Sequence, residues 1–162
     1  MASPTLEALD DALAAGGPRI DVVGVPGVTA ALAASAALGA PLGHDHLYVS
    51  LSDLHTPWPA IERRLRAAAD ADVAVALYNP RSRGRADHLG KALAIIGAQR
   101  PPATPVGLVR DATRPGERVV VTTLADVDPT SVDMLTVVVV GSSTTRLVDG
   151  HMVTPRGYRW LM

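Results

Sequence analysis

Six consecutive residues, Val73-Ala74-Val75-Ala76-Leu77-Tyr78, are apolar at every position. A strand with one face in water alternates apolar and polar side chains, so a run without alternation has both faces covered. This run therefore predicts a central strand in a sheet with helices on its faces, which narrows the chain to a layered α/β architecture. A second run, Leu135-Thr136-Val137-Val138-Val139-Val140, is the most strand-like in the sequence, with five β-formers following a leucine.

The other elements fall around these two. Ser3-Pro4 reads as a helix start, with Ser as cap and Pro in the first turn. Leu6, Leu9 and Leu13 share one helical face, and Gly16-Gly17-Pro18 stops the helix. Residues 20–24 predict a short strand that turns through Val25-Pro26-Gly27-Val28-Thr29 into an Ala-rich helix over 30–38, closed by Gly39 and Pro41. A strand over 47–51 leads to a loop over 52–57. There Thr56 is placed to cap a helix carrying Trp58, Ile61, Leu65 and Ala69 at helical spacing. After the central strand come a loop at 79–84 and a helix with Leu89, Leu93 and Ile96 on one stripe. Strands over 105–110 and 118–123 follow, then a helical turn opened by Asp128-Pro129. Residues 146–153 read as a hairpin turning at Asp149-Gly150. The order αβαβαβα followed by mostly β predicts an α/β fold with a mixed sheet flanked by helices, parallel at first and antiparallel toward the end.

Composition excludes several function classes. The chain has 162 residues, the size of one domain, and no Phe, so its core is built from Val, Leu, Ile and Ala. A net charge of −1 leaves no electrostatic footprint for nucleic acid, the cluster Arg81, Arg83, Arg85 being the one local exception. The absence of cysteine removes thiolate metal sites, disulfides and a Cys nucleophile, and agrees with a cytoplasmic protein. No apolar run reaches the ~18 residues of a membrane span, and the start lacks the pattern of a secretory signal, so no membrane association is expected.

Three loops follow predicted strands, where open α/β sheets bind ligands. They are Pro26-Gly27-Val28-Thr29-Ala30, Tyr78-Asn79-Pro80 and Arg110-Asp111-Ala112-Thr113. The helix after Thr29 offers N–H donors suited to a carboxylate or phosphate; equally, Pro-Gly makes a tight turn and Thr29 only caps the helix. Neither G-x-G-x-x-G nor a P-loop occurs, and Gly141-Ser142-Ser143-Thr144-Thr145-Arg146 reads either as a phosphate cradle or as a polar turn. His44, His46 and His55 lack further ligands at matching spacing, so no metal site is expected. Asp53 and His55, with neighbouring hydroxyls, can supply a general base, or Ser52 and Thr56 merely cap a helix.

Taken in order, these segments resemble the tetrapyrrole methylase family. Pro26-Gly27-Val28-Thr29-Ala30-Ala31 marks the broad family. Leu51-Ser52-Asp53-Leu54 with Thr56-Pro57-Trp58, and Leu77-Tyr78-Asn79-Pro80-Arg81-Ser82, are similar to its branch that methylates precorrin-3B at C(17). Gly39-Ala40-Pro41-Leu42, Pro105-Val106-Gly107-Leu108-Val109-Arg110, Asp133-Met134-Leu135-Thr136 and the end from Met152 to Tyr158 extend the match. The resemblance implies two α/β domains with S-adenosylmethionine in the cleft between them and S-adenosylhomocysteine as product. It implies donor contacts from Thr29, Ala30, Tyr78, Asn79 and Ala112, where some relatives have Gly, and from the backbone around Leu135 and Thr136. Asp53 and His55 are placed on the tetrapyrrole side, where ring contraction needs proton transfers. Arg81, Arg83 and Arg110 are offered to the substrate's carboxylates.

The family's Gly-x-Gly-Pro-Gly and Gly-Asp-Pro-Gly-like loops, which belong to its first domain, are absent here. The expectation is therefore a carboxy-terminal half: residues 1–18 lead out of a missing amino-terminal methylase domain and residues 19–162 form the second domain. Such a half is expected to be inactive alone and to belong to a homodimer. Two other readings stay open: a non-catalytic dimerisation or interaction domain, and a relative acting on another substrate such as ribosomal RNA.

Overall fold

The computed structural model describes residues 3–157 other than Arg83. Arg83, Tyr158 and the side chain of Ser3, all invoked above, lie outside the described part.

Helix α1 (Ser3–Ala14) ends where Gly16 adopts a left-handed φ of +78°. Its apolar stripe is uncovered, with Leu6 and Leu13 exposed. Residues 17–29 then run without helix or strand. The strand predicted over 20–24 is therefore absent among the described elements. A strand exists only as one side of a hydrogen-bonded pair, and among the described residues the segment pairs with no strand; Val23 and Val25 are 83% and 86% exposed.

Helix α2 (Ala30–Leu38) starts as expected at Thr29, whose hydroxyl accepts from the Ala31 N–H at 3.1 Å. It ends at Gly39, where φ is +117° and the chain passes into β1 (Gly39–Ala40). The main sheet comprises β2 (His46–Ser50), β3 (Ala74–Tyr78), β4 (Pro105–Arg110), β5 (Arg118–Thr123) and β6 (Thr136–Val140). Their order is β2-β3-β6-β4-β5. The β2–β3 pair is parallel and the other three are antiparallel, which is the mixed sheet expected.

Helices α3 (Trp58–Asp70) and α4 (His88–Gly97) lie on one face of this sheet and α2 on the other. Thr56 does not cap α3. The N-cap is Pro57, without a side-chain cap bond. Pro59 in the first turn has no N–H to satisfy, and the next donor, Ala60 N–H, goes to the Pro57 carbonyl at 2.8 Å. Asp128 caps the short 3₁₀ turn at Pro129–Ser131 as predicted. The predicted hairpin forms from β7 (Arg146–Val148) and β8 (His151–Val153), with Asp149 and Gly150 both at positive φ, as a two-residue turn of this kind requires. Strand β8 also pairs in parallel with β1, which makes a second, three-stranded sheet.

The two faces of β3 explain how close the helices lie. Val75 and Leu77 point toward Ile61, Leu65, Leu89 and Ile96 of α3 and α4. Ala74 and Ala76 point the other way, toward Ala31, Ala34 and Leu38 of α2. Small residues on both sides, with Gly107 beneath the Leu38 side chain, let α2 approach the sheet closely. That approach delivers its first turn to the end of β3. Each large buried side chain here contributes about 1.5–3 kcal/mol of burial.

Candidate functional site

Strands β3 and β4 run parallel to each other on either side of the antiparallel β6, so the carboxyl ends of β3 and β4 and the start of β6 share one edge of the sheet. The register pairs Leu77 with Val138 and Arg110 with Thr136. Beyond this edge the chain turns sharply: Asn79, Asp111 and Thr113 have φ of +52°, +50° and +65°. Asn and Asp tolerate that conformation best among residues with a Cβ.

The turns open a cleft of about 220 Å³ lined by Ala30, Tyr78, Asn79, Ala112, Leu135 and Thr136, among others. Val109 and Val137 also face it. Five of the six donor-site candidates thus meet at one place. The sixth, Thr29, joins through its hydroxyl, 2.6 Å from the Tyr78 hydroxyl. Tyr78 also accepts from the Ala31 N–H at 2.9 Å. That donor, which the sequence offered to an anion, is spent on Thr29 and Tyr78 together. The Asn79 side-chain amide donates to Ser50 Oγ at 3.0 Å.

One wall is braced by charge. Arg110 Nε donates to Asp133 at 3.0 Å, and Arg110 Nη1 pairs with Asp111. Asp133 accepts in turn from the Leu135 N–H and the Thr136 hydroxyl, each at 3.0 Å. The Thr136 N–H goes to the Asp133 carbonyl, so neither N–H of this pair is left for a ligand; Leu135 still presents its side chain. Burial works to raise the Asp133 pKa, but the bonds from Arg110, Thr136 and Leu135 and the Arg110 charge outweigh it and hold the carboxyl below its ordinary value. The bond to Asp133 in turn raises the Arg110 pKa, against desolvation. Arg110 is therefore committed to carboxylates of its own chain. Arg81 donates to the Thr130 carbonyl at 2.8 Å and borders a wider depression of about 630 Å³ that shares Met134 and Leu135 with the cleft.

Asp53 and His55 do not come together. His55 is exposed on the loop after β2. Asp53 instead faces His88 Nε2 at 3.7 Å and Arg85 Nη1 at 3.9 Å. His88 is buried, holds the Leu51 carbonyl through Nδ1 at 3.0 Å and stacks on Trp58 with ring centroids 4.6 Å apart. Neither His88 nor Arg85 stands out as a site in the sequence, because each meets Asp53 only through the fold. The Gly141–Arg146 segment is no cradle: the Ser143 N–H and hydroxyl go to Asp72, and the Ser142 N–H to the Thr145 hydroxyl. His44 and His46 make local contacts at Asp45 N–H and the His44 carbonyl. Among the described residues no three His, Cys, Asp or Glu side chains are grouped to hold a metal ion, and no helix is long and apolar enough to cross a membrane.

An α/β domain with a mixed sheet flanked by helices is the fold that this chain shares with tetrapyrrole methylases. The pattern of the family described as Tetrapyrrole (Corrin/Porphyrin) Methylases matches residues 1–128, and the chain belongs to that family. A Salmonella typhimurium protein named "Probable cobalt-factor III C(17)-methyltransferase" is 51% identical over 139 residues, 86% of this chain and 58% of that protein. The precorrin-3B C(17)-methyltransferase of a Sinorhizobium species is 45% identical, over 98% of this chain and 64% of its own length. The crystal structure of the methyltransferase CobJ superposes with a TM-score of 0.88 at 42% identity, covering 96% of this chain and 64% of that one. A uroporphyrin-III C-methyltransferase from Thermus thermophilus, solved with S-adenosylhomocysteine, superposes at 0.55 with 26% identity, over 83% of this chain and 57% of that one. The chain thus spans between half and two thirds of the length of each of these.

Proposed function

We propose that this chain is the carboxy-terminal part of an S-adenosylmethionine-dependent methyltransferase of cobalamin biosynthesis. Its substrate is a tetrapyrrole of the precorrin-3B or cobalt-factor III kind, methylated at C(17) with ring contraction. Residues 1–18 lead out of a first methylase domain and residues 19–162 form the second. The observation that carries this reading is the convergence of Ala30, Tyr78, Asn79, Ala112 and Thr136, from four separate segments, on one cleft.

The cleft fits one side of such a donor. Leu135 and the small Ala30 and Ala112 offer an apolar surface to a flat adenosine, and Tyr78 and Asn79 add polar edges. Its 220 Å³ falls below the roughly 300–1,000 Å³ of complete small-molecule sites, as one wall of a two-domain site should. When bound, S-adenosylmethionine supplies a methyl group on a sulfonium. The protein's part is to hold donor and ring in line and to keep water out. The uncovered apolar face of α1 and the exposed Val23, Val25 and Val28 are where the first domain docks. We further read the enzyme as a cytoplasmic homodimer.

Calorimetric titration with S-adenosylhomocysteine tests this, on the chain alone and mixed with the first domain of a relative. Binding that appears only in the mixture is the expected result. Complexation of the two domains without any nucleoside binding would instead favour the interaction-domain reading.

A further inference from the structure

Methylation of a neutral ring carbon by a sulfonium leaves one positive charge on the ring, and the ring discharges it by losing one proton. That proton needs an acceptor, and a carboxylate at this edge of the sheet can serve as one. Several carboxylates lie at this edge of the sheet, among them Glu117, which accepts from the Thr113 N–H, and Asp87, paired with Lys91. Asp111 pairs with Arg110 and Arg114, and Asp133 with Arg110 and two hydrogen-bond donors. Protonating either one breaks an ion pair that braces the cleft. Asp53 differs: its second partner is an imidazole, a group able to take up the proton itself.

The hydrogen bonds define the tautomer of His88. The Leu51 carbonyl can only accept, so Nδ1 carries a hydrogen. Nε2, 3.7 Å from the Asp53 carboxylate, is then the basic nitrogen of the neutral ring. The remaining charged groups around His88 are Arg85, beside Asp53, and the Asp87–Lys91 pair on α4, with Lys91 Nζ 5.8 Å from the centroid of the Trp58 ring. The unit is linked to the cleft. Arg85 donates to Ser52 Oγ at 3.0 Å and reaches Met134 Sδ at 3.7 Å; Ser52 N–H and Asn79 share Ser50 Oγ.

We infer that Asp53 is the base that receives the ring proton and that His88, acting through Asp53 across 3.7 Å, takes that proton over. This rests on the methyltransferase reading above. In the step, the ring's C–H, N–H or O–H bond breaks and its electron pair stays on the ring. The proton bonds to an Asp53 oxygen and then passes to His88 Nε2. The pair ends as carboxylate and imidazolium, neutral together, with Nδ1 still donating to Leu51.

The test compares His88→Asn and Asp53→Asn in the enzyme assembled with its first domain. Asn at 88 removes the titrating nitrogen and also the ring packed on Trp58, so urea midpoints of the variant are read alongside its rates. Expected is a roughly hundredfold fall in kcat for both variants, loss of the single-proton rise of kcat with pH, and S-adenosylhomocysteine affinity within about twofold of wild type. Wild-type kcat and pH profile in both variants would overturn the assignment and leave the methyltransferase reading standing. An assembled wild type that neither binds the nucleoside nor turns over precorrin-3B or cobalt-factor III would sink both. On the chain itself, ¹⁵N imidazole NMR must find Nδ1 protonated throughout and Nε2 as the titrating atom; the reverse assignment would also overturn the proposal.

Discussion

The hydroxyl of Tyr78, at the end of β3, lies 2.6 Å from the hydroxyl of Thr29 and 2.9 Å from the first-turn N–H of Ala31. One side chain thereby fastens the start of α2 to the centre of the sheet across the mouth of the cleft. Tyr78→Phe keeps the ring and deletes both contacts. It should lower stability by about 1 kcal/mol, read as a shift in urea midpoint at constant slope, and weaken S-adenosylhomocysteine binding by the assembled protein several-fold. Unchanged values for both would mean that the hydroxyl does not hold the helix.

Gly39 joins α2 to the small sheet at a φ of +117°. A Cβ there would sit 2.9 Å from the Met152 carbonyl oxygen and 2.8 Å from His151 Cβ. The first neighbour is backbone and cannot step aside. Gly39→Ala therefore combines an unfavourable backbone conformation with a clash and should cost about 2–4 kcal/mol. A thermal melt of the variant within a degree of the parent would refute this.

Asn79 adopts φ +52° where the chain leaves β3 for the cleft. Asn79→Gly retains that conformation freely, while Asn79→Ala pays about 1–2 kcal/mol for the left-handed backbone. Both variants lose the bond to Ser50, so their difference isolates the backbone. Equal stabilities in denaturant titrations would show that the turn is not strained.

Asp72, Asp128 and Asp133 all have carboxyls held below their ordinary value of 3.8. For Asp72, burial opposes the shift, but the Ser143 hydroxyl and N–H and the Arg100 charge outweigh it; for Asp128 the Thr130 N–H and hydroxyl act first. A depressed folded-state pKa means that the unfolded chain binds protons first as pH falls. Their contribution is complete above about pH 5 and is lost as pH drops through 3.8 and below the folded values. Urea midpoints should therefore decline from pH 5 toward pH 3. Asp72→Asn should flatten that decline, and an unaltered pH dependence would rule out its share.

Much of the fold was legible because its signals are local. Thr29 caps the helix that follows it, Asp149-Gly150 turns a two-residue hairpin, and the unbroken apolar run and the valine run are the interior strands β3 and β6. The reading of residues 20–24 failed for a physical reason: extended residues become a strand only when an edge is offered, and the described residues offer none. Thr56 missed its capping role because two nearby prolines remove or satisfy the donors it would serve.

The site divides in the same way. Which residues stand at the ends of strands follows from order along the chain, and so Tyr78, Asn79 and Ala112 could be named in advance. That their turns open onto one cleft, that Arg110 is consumed by Asp133, and that Asp53 finds His88 rather than His55 depend on strand order and on helices packing across the sheet. Local signals settle most of the helices and strands, residues 20–24 and the short β1 excepted, because propensity, capping and turn geometry act over a few residues. Which side chains meet depends on the folded chain, because β6 inserts between β3 and β4, and β8 reaches back to β1, through contacts that no local pattern encodes.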